Sequence, residues 1–374
     1  MKAMLLAAGR GTRLRPLTHT IPKPMLPVLG KPVMEWLVEH LAAHGFDQIM
    51  VNTSYLAPQI EDYFRDGARW GVQIGYSFEG HQERGRLIDT PVGSAGALRR
   101  IHDHSGFFDQ TTLVVCADAL FSLDLTAFLA HHRERRALAS IALTRVDRDR
   151  LRDYGVVLTG DRGRIRAFQE KPGPDEALSN IVNTGIYLFE PGVIDRIPAG
   201  TPYDIGSQLF PGLVAEGAPF FGTTMAFEWR DIGSVRDYHA ACLDALNGDV
   251  PGVRPHGTPV RHGIYKGLNV RAAWDRCHIT SPVTIGAGAH LEPGCSIIGP
   301  AIIGPGAVIE AGAHVERSIV GSYTRVGGSA VIENAIVTPS FCVDASGRPL
   351  TAFGISDARQ RTGTAMAGAD GVAA

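Results

Sequence analysis

Along the first two thirds of the chain, short apolar runs alternate with stretches in which apolar residues recur at helical spacing. Ala3 to Ala8 is an unbroken apolar run of the length expected for a buried parallel strand. Pro32 to His44 sets Val33, Leu37, Val38 and Leu41 on one helical face, with the proline suited to a first turn and Gly45 to a C-terminal cap. Gln48 to Asn52 predicts a second strand, Ala57 to Arg65 a helix, Val72 to Phe78 a third strand, and Thr111 to Ala117 a buried central strand. This alternation predicts an α/β fold whose mostly parallel sheet is covered on both faces. The polar stretch His81 to Ile88 reads as an inserted loop or hairpin.

A different beat takes over near the end. From Asn247 to His262 glycine and proline become frequent and periodicity vanishes, so 1–246 is expected as one domain and 247–268 as a linker. Beyond it Ile279, Ile285, Leu291, Ile297, Ile303, Ile309 and Val315 recur every six residues. After a one-residue slip, Val320, Val326 and Ile332 continue the series. Six residues is too long for a helical turn and fits a parallel β-helix whose inward residues stack coil on coil, expected over 269–343 as three to four triangular coils. The extension 344–374 is rich in glycine, alanine and polar residues and is expected to be disordered from about 356.

The first apolar run ends at Gly9-Arg10-Gly11, where missing side chains let backbone N–H groups approach a ligand. Arg13, Arg15 and Lys23 follow within a few residues, and backbone donors beside cations at a strand end suit a triphosphate. Three readings compete for this loop. A dinucleotide-binding fingerprint needs a third glycine where Leu14 stands, and an acid closing the second strand where Asn52 and Thr53 stand. A P-loop needs Gly-Lys-Ser/Thr, but Gly30-Lys31 runs into Pro32. A solvated surface turn is the third, and Ile21-Pro22-Lys23-Pro24-Met25 counts against it, because two prolines restrict Lys23 to an extended segment. Gly93-Ser94-Ala95-Gly96-Ala97-Leu98 is either an ordinary helix start or a turn small enough to seat a flat base. Asp118 follows the central strand, where open α/β sheets place ligands, although a cap or solvated turn residue would read the same way. With Asp231, in Phe227-Glu228-Trp229-Arg230-Asp231-Ile232-Gly233, it makes a carboxylate pair of the kind that holds Mg2+.

The opening motif, from Leu5 through Arg13-Leu14 to Pro22-Lys23-Pro24, resembles the signature of the sugar-nucleotide pyrophosphorylases, which make an NDP-sugar and pyrophosphate from an NTP and a sugar 1-phosphate. The resemblance runs from about Met1 to Leu246 and implies a Rossmann-like nucleotidyltransferase domain. It implies that Arg13 and Lys23 act on phosphates, and that Leu6, Ala8, Gly9, Gly11, Thr12, Gly93, Ser94 and Ala95 line the nucleotide site. It also implies Mg2+ at Asp118 and Asp231. Phe168-Gln169-Glu170-Lys171-Pro172 and Asn183-Thr184-Gly185-Ile186-Tyr187 match family segments in which Glu170 and Asn183 would read sugar hydroxyls and Lys171 the sugar phosphate. Tyr154, Gly155 and Thr184 would border the same pocket. The six-residue repeat resembles the left-handed hexapeptide solenoid often attached to these enzymes. The overall pattern is similar to atypical UDP-glucose pyrophosphorylases of cyanobacteria and to mannose-1-phosphate guanylyltransferases, which implies UTP with glucose 1-phosphate, or GTP with mannose 1-phosphate. Asp89 favours GTP, since its carboxylate would accept hydrogen bonds from guanine N1 and N2.

Composition narrows the rest. A chain of 374 residues, 44% apolar and 20% charged, suits two soluble domains. No apolar run reaches membrane-spanning length, and the N-terminus leads directly into the first strand, so a cytoplasmic protein without a membrane partner is expected. A net charge of −2 gives nucleic-acid binding no electrostatic support. The five cysteines lie far apart without a Cys-x-x-Cys pair, which argues for reduced thiols over zinc or disulfides. Two rival classes are acyl transfer on the solenoid, with His290 or His314 as base, and a non-catalytic subunit that senses NDP-sugar. The second is disfavoured by the retained Arg13, Lys23, Asp118 and Asp231. A small solenoid with open strand edges is expected to be covered by another copy of the chain, giving a homo-oligomer.

Overall fold

The computed structural model describes residues 1–351 and 354–359, leaving aside the side chains of Arg86 and Leu87. It divides into two compact units, Met1–Ala241 with Gly248–Val253, and Cys242–Asn247 with the chain from Arg254 onward. The first unit is built on β1 (Lys2–Leu6), α1 (Val33–Ala43), β2 (Gln48–Thr53), α2 (Ala57–Phe64) and β3 (Gln73–Phe78). A hairpin follows, β4 (Gly80–Glu83) and β5 (Arg86–Asp89), in the stretch expected as a loop or hairpin, and then α3 (Ser94–Ser105). Next come β6 (Thr112–Cys116), β7 (Ala119–Phe121), α4 (Leu125–Glu134), β8 (Ala139–Arg145), β9 (Gly155–Thr159), β10 (Ile165–Glu170) and β11 (Ile181–Phe189). The unit continues with α5 (Phe210–Ala215), β12 (Phe220–Thr224), β13 (Trp229–Asp231) and the first part of α6 (Val235–Asn247), whose residues Cys242–Asn247 group with the second unit.

Its nine-stranded sheet runs β10-β9-β11-β6-β1-β2-β3, with β8 on β11 and β12 on β8. One half is parallel, β6-β1-β2-β3, and β11 joins it antiparallel to β6. Alternation along β1 shows why the sheet needs two covers: Ala3 and Leu5 pack with Leu37, Leu41 and Phe128 on one face, while Met4 packs with Leu98, Ile101 and Val114 on the other. Leu6 pairs with Asn52 and with Cys116, so the three strands end level and their following loops share one edge of the sheet. The outlying ladder β7–β13 pairs Ala119 with Asp231.

In the second unit, four three-sided coils run from Ile264 to Glu333 among the described residues, forming sheets of seven, five and four strands. Ile285, Leu291, Ile297, Ile303, Ile309, Val315, Val320 and Val326 are buried in register, as the hexad requires. His278, Ser296 and His314 pair in series at eighteen-residue intervals. The next step, His314 to Val331, is one residue short, with the turn at Arg317 in a left-handed conformation (φ 44°).

Two boundaries differ from the sequence reading. Thr258–Arg261 and Ile264–Lys266, placed in the linker 247–268, form an antiparallel pair at the start of the solenoid, and Ile264 is buried. Gly257 (φ 122°) and Gly263 (φ 72°) flank these strands, so the glycines mark tight corners and not a flexible tether. At the other end Ile355–Asp357 pairs antiparallel with Thr324–Val326, so Ser356 and Asp357 lie in a strand. The rest of the expected disordered tail, 360–374, lies outside the described residues.

Candidate active site

The loop after β1 carries the first cations. Gly11 adopts φ 61°, and a Cβ there would meet Thr18 Cγ2 at 3.1 Å and Lys23 Cβ at 3.2 Å, so the glycine lets two segments close on each other. Thr18 Oγ1 donates to Gly11 O at 2.7 Å and locks the contact. The sequence reading held Lys23 in an extended segment, but only Pro22 is extended. Lys23–Met25 forms one 3-10 turn, closed by Met25 N–H to Pro22 O at 2.8 Å. That turn carries the Lys23 ammonium into an ion pair with Asp118.

Around this pair opens a cleft lined by Arg13, Lys23, Cys116, Asp118, Ala119, Asp153, Tyr154, Gly155, Glu170, Lys171, Asn183, Thr184, Gly185, Tyr187, Trp229 and Asp231. Every residue assigned to catalysis, metal or sugar phosphate in the sequence reading therefore borders one space. Burial works against the Lys23 charge, yet Asp118 and Asp231 outweigh it and hold its pKa above the ordinary lysine value. Burial, reinforced by Asp118, pushes the Asp231 carboxyl up to about 7. Asp118 and Asp231 thus meet in the cleft, with burial favouring the neutral form of Asp231.

The sugar-side residues are held firmly. Asn183 donates to Tyr187 Oη at 3.0 Å and accepts from Gly185 N–H at 2.9 Å. Gly185 stands at φ 77°, where a Cβ would lie 2.8 Å from Cys116 Sγ. Thr184 gives its hydroxyl to Ala142 O at 2.7 Å, so it shapes the wall through its backbone. Lys171 reaches Glu170 Oε1 at 3.4 Å, and half of its side chain is exposed. Trp229 was quoted in the sequence only as part of a motif, but its Nε1 is buried with no hydrogen-bond partner among the described residues. Its surroundings, which the motif does not reveal, leave a buried donor unpartnered in a side chain that lines the cleft.

The nucleotide-side residues Leu6, Ala8, Gly9, Gly11, Thr12, Asp89, Gly93, Ser94 and Ala95 do not line this cleft. They gather at the neighbouring strand ends and at the start of α3. Asp89 is engaged by Arg10, whose Nε lies 3.0 Å from Oδ2. Ser94 donates to Asp204 Oδ2 at 2.7 Å. The N–H groups of Ala95 and Gly96 both donate to Tyr203 O, and a Cβ on Gly93 would meet that oxygen at 2.5 Å. The small residues of this turn therefore have a structural cause, the close approach of the 203 segment.

A nine-stranded α/β sheet with cations and paired acids at its carboxyl edge, followed in the chain by a hexapeptide solenoid, defines a nucleotidyltransferase with a β-helix extension. The chain belongs to the nucleotidyl transferase family, whose model matches residues 2–248. A second family model, bacterial transferase hexapeptide (six repeats), matches residues 282–317. A UTP–glucose-1-phosphate uridylyltransferase from Synechocystis sp. is 52% identical over 347 residues, covering 93% of this chain and 89% of that protein. A mannose-1-phosphate guanylyltransferase from Mycobacterium tuberculosis is 34% identical, covering 78% of this chain and 77% of its own. A solved UDP-glucose pyrophosphorylase complexed with UDP-glucose shares the fold at a TM-score of 0.56 and 22% identity, over 66% of this chain and 98% of that one.

Proposed function

We propose that this enzyme joins UTP and glucose 1-phosphate into UDP-glucose, releasing pyrophosphate. The 52% identity to the Synechocystis uridylyltransferase over nearly all of both chains carries the reading. The GTP and mannose 1-phosphate alternative has the M. tuberculosis relative behind it. Its argument from Asp89 is weakened, because Arg10 already takes that carboxylate.

In the reaction a phosphate oxygen of the sugar phosphate attacks the α-phosphorus of the NTP in line. The attacking phosphate is already ionised, so positioning and charge neutralisation dominate. Arg13 stabilises the charge that grows on the leaving pyrophosphate, and Lys23 orients the triphosphate. Lys171 holds the sugar phosphate, with Glu170 and Asn183 on the sugar hydroxyls. Asp118 and Asp231 fit a hard divalent cation: they are carboxylates brought together by the β7–β13 ladder, and burial, with Asp118 beside it, pushes Asp231 up. Mg2+ bound there would neutralise phosphate charge. Lys23 forms an ion pair with Asp118, one of the two residues that would hold the cation.

The test is a turnover panel of four NTPs against glucose and mannose 1-phosphates, with and without a chelator. Selective, chelator-sensitive turnover of UTP with glucose 1-phosphate is expected. Preference for GTP with mannose 1-phosphate would replace the substrate reading and keep the reaction class. We further propose that the protein works in the cytoplasm, which suits its five free cysteines, as a homo-oligomer assembled through the solenoid.

A further inference from the structure

Asn52 stands where a dinucleotide-binding fold would put an acid, and nothing in the reaction above uses it. It is buried, 3% exposed, at the end of β2. Its Oδ1 accepts the N–H of Ala7, the residue that opens the glycine loop, at 2.8 Å. Its Nδ2 donates to Glu79 Oε1 at 2.6 Å. Glu79 is itself 6% exposed, a rare place for a carboxylate, and also accepts from the backbone N–H of Val92, one residue before Gly93. The main chain runs alongside: Glu79 N–H bonds Thr53 O at 2.7 Å, and Thr90 N–H, two residues before Val92, bonds Glu79 O at 2.9 Å. A path buried at Ala7, Asn52 and Glu79 therefore runs to the half-buried Val92. Its two ends are the loops on which the proposed nucleotide contacts sit.

We propose that Asn52 and Glu79 are positioning residues that set the spacing between the Gly9–Thr12 loop and the Gly93–Ala95 turn, and so the fit of the nucleoside triphosphate. This rests on the reading of those two loops as the nucleotide site. The path has a direction. Ala7 and Val92 both present donors, so the pair between them must offer one acceptor at each end and one hydrogen bond in the middle. Asparagine followed by glutamate satisfies all three bonds. Asn52→Asp sets two carboxylates face to face. Glu79→Gln leaves an amide N–H against a donor, either that of Val92 or that of Asn52. The double variant Asn52→Asp/Glu79→Gln restores every bond with the central one reversed: the carboxylate at 52 accepts from Ala7 and from the amide at 79, whose carbonyl accepts from Val92.

The experiment measures steady-state constants, equilibrium NTP binding and thermal midpoint for the wild type, both single variants and the double. Each single variant should raise the KM for NTP by about tenfold, the scale of one buried hydrogen bond, and leave the sugar-phosphate KM within about twofold. The double should return the NTP KM to within about threefold of wild type. A purely structural pair would shift the thermal midpoint and leave NTP affinity alone, which would overturn the proposal. If the single variants do not fold, the double decides: a folded protein with restored NTP KM supports the clamp, and an unfolded one, or a folded one with raised KM, refutes it. Wild type that binds none of the four NTPs would overturn the nucleotide reading and the clamp together. Wild type that binds, beside single variants that bind equally well, would overturn the clamp alone.

Discussion

Lys23, Asp118 and Asp231 stand together in the cleft, and burial, reinforced by Asp118, raises the Asp231 carboxyl. Its pKa in the folded protein is about 7 against the ordinary 3.8, so between those values the folded state holds a proton that the unfolded state has lost. Stability from this group is therefore present below that window and is lost as pH rises towards 7. Asp231→Asn removes the liability. In chelator, the variant should melt above wild type at pH 8, with the difference shrinking towards pH 5. A gain that is equal at both pH values would show that Asp231 titrates normally. Trp229 gives a second test. Trp229→Phe keeps the edge packing on Tyr154, whose ring centroid lies 5.2 Å away, and removes the unpartnered N–H. The sugar-phosphate KM should rise by about three- to tenfold with the NTP KM unchanged; an unmoved sugar-phosphate KM would mean the indole donor meets no substrate. Asp118 was legible in the sequence because an acid closing an apolar run has few places to go. Trp229 was not, since a free indole donor is defined by neighbours on β9 and β11 that are distant in sequence. Asn52 was legible only as a departure from another fold's pattern.

Regular elements were read more easily than their ends. The helix expected from Pro32 to His44 forms as Val33–Ala43 with those two residues as caps, because proline and the following Gly45 (φ 78°) leave little choice. The six-residue beat named the inward residues of the solenoid, since each coil repeats the same burial. Strand pairs in glycine-rich sequence were missed: in 258–266 only Ile264 carries strong burial, too little periodicity to separate a hairpin from a tether. The stacked core makes its own prediction. Ile303, buried between Ile285 and Val320, should cost about 2–5 kcal/mol when changed to alanine, through lost burial and a residual cavity. Hydrogen exchange should show the loss in the amides of neighbouring coils, while β1 keeps its protection. Uniform loosening of both units would contradict a solenoid stabilised by nearest-neighbour stacking.

At the scale of the molecule, the structure changes the reason for assembly expected from open solenoid edges. The expected open end of the solenoid is closed by its own chain: Cys342–Asp344 and Ile355–Asp357 turn back antiparallel onto two of the three sheets. The proposed intersubunit contact would then fall on the third face, which ends at Val331–Glu333 and exposes 65% of Val331. A chain ending at Val253 should sediment as a monomer where the full chain sediments as an oligomer; equal sedimentation of the two would end the idea that the solenoid mediates assembly. The returning strands have another consequence. They fasten to particular sides of the last coil, so the solenoid can vary in length only by whole storeys of eighteen residues, about 4.8 Å each. A copy of Val283–Pro300 inserted after itself would raise the stack by one floor and present the same edges to both closing strands. A gain of six residues would rotate everything above it by one side of the triangle and leave those strands facing the wrong wall.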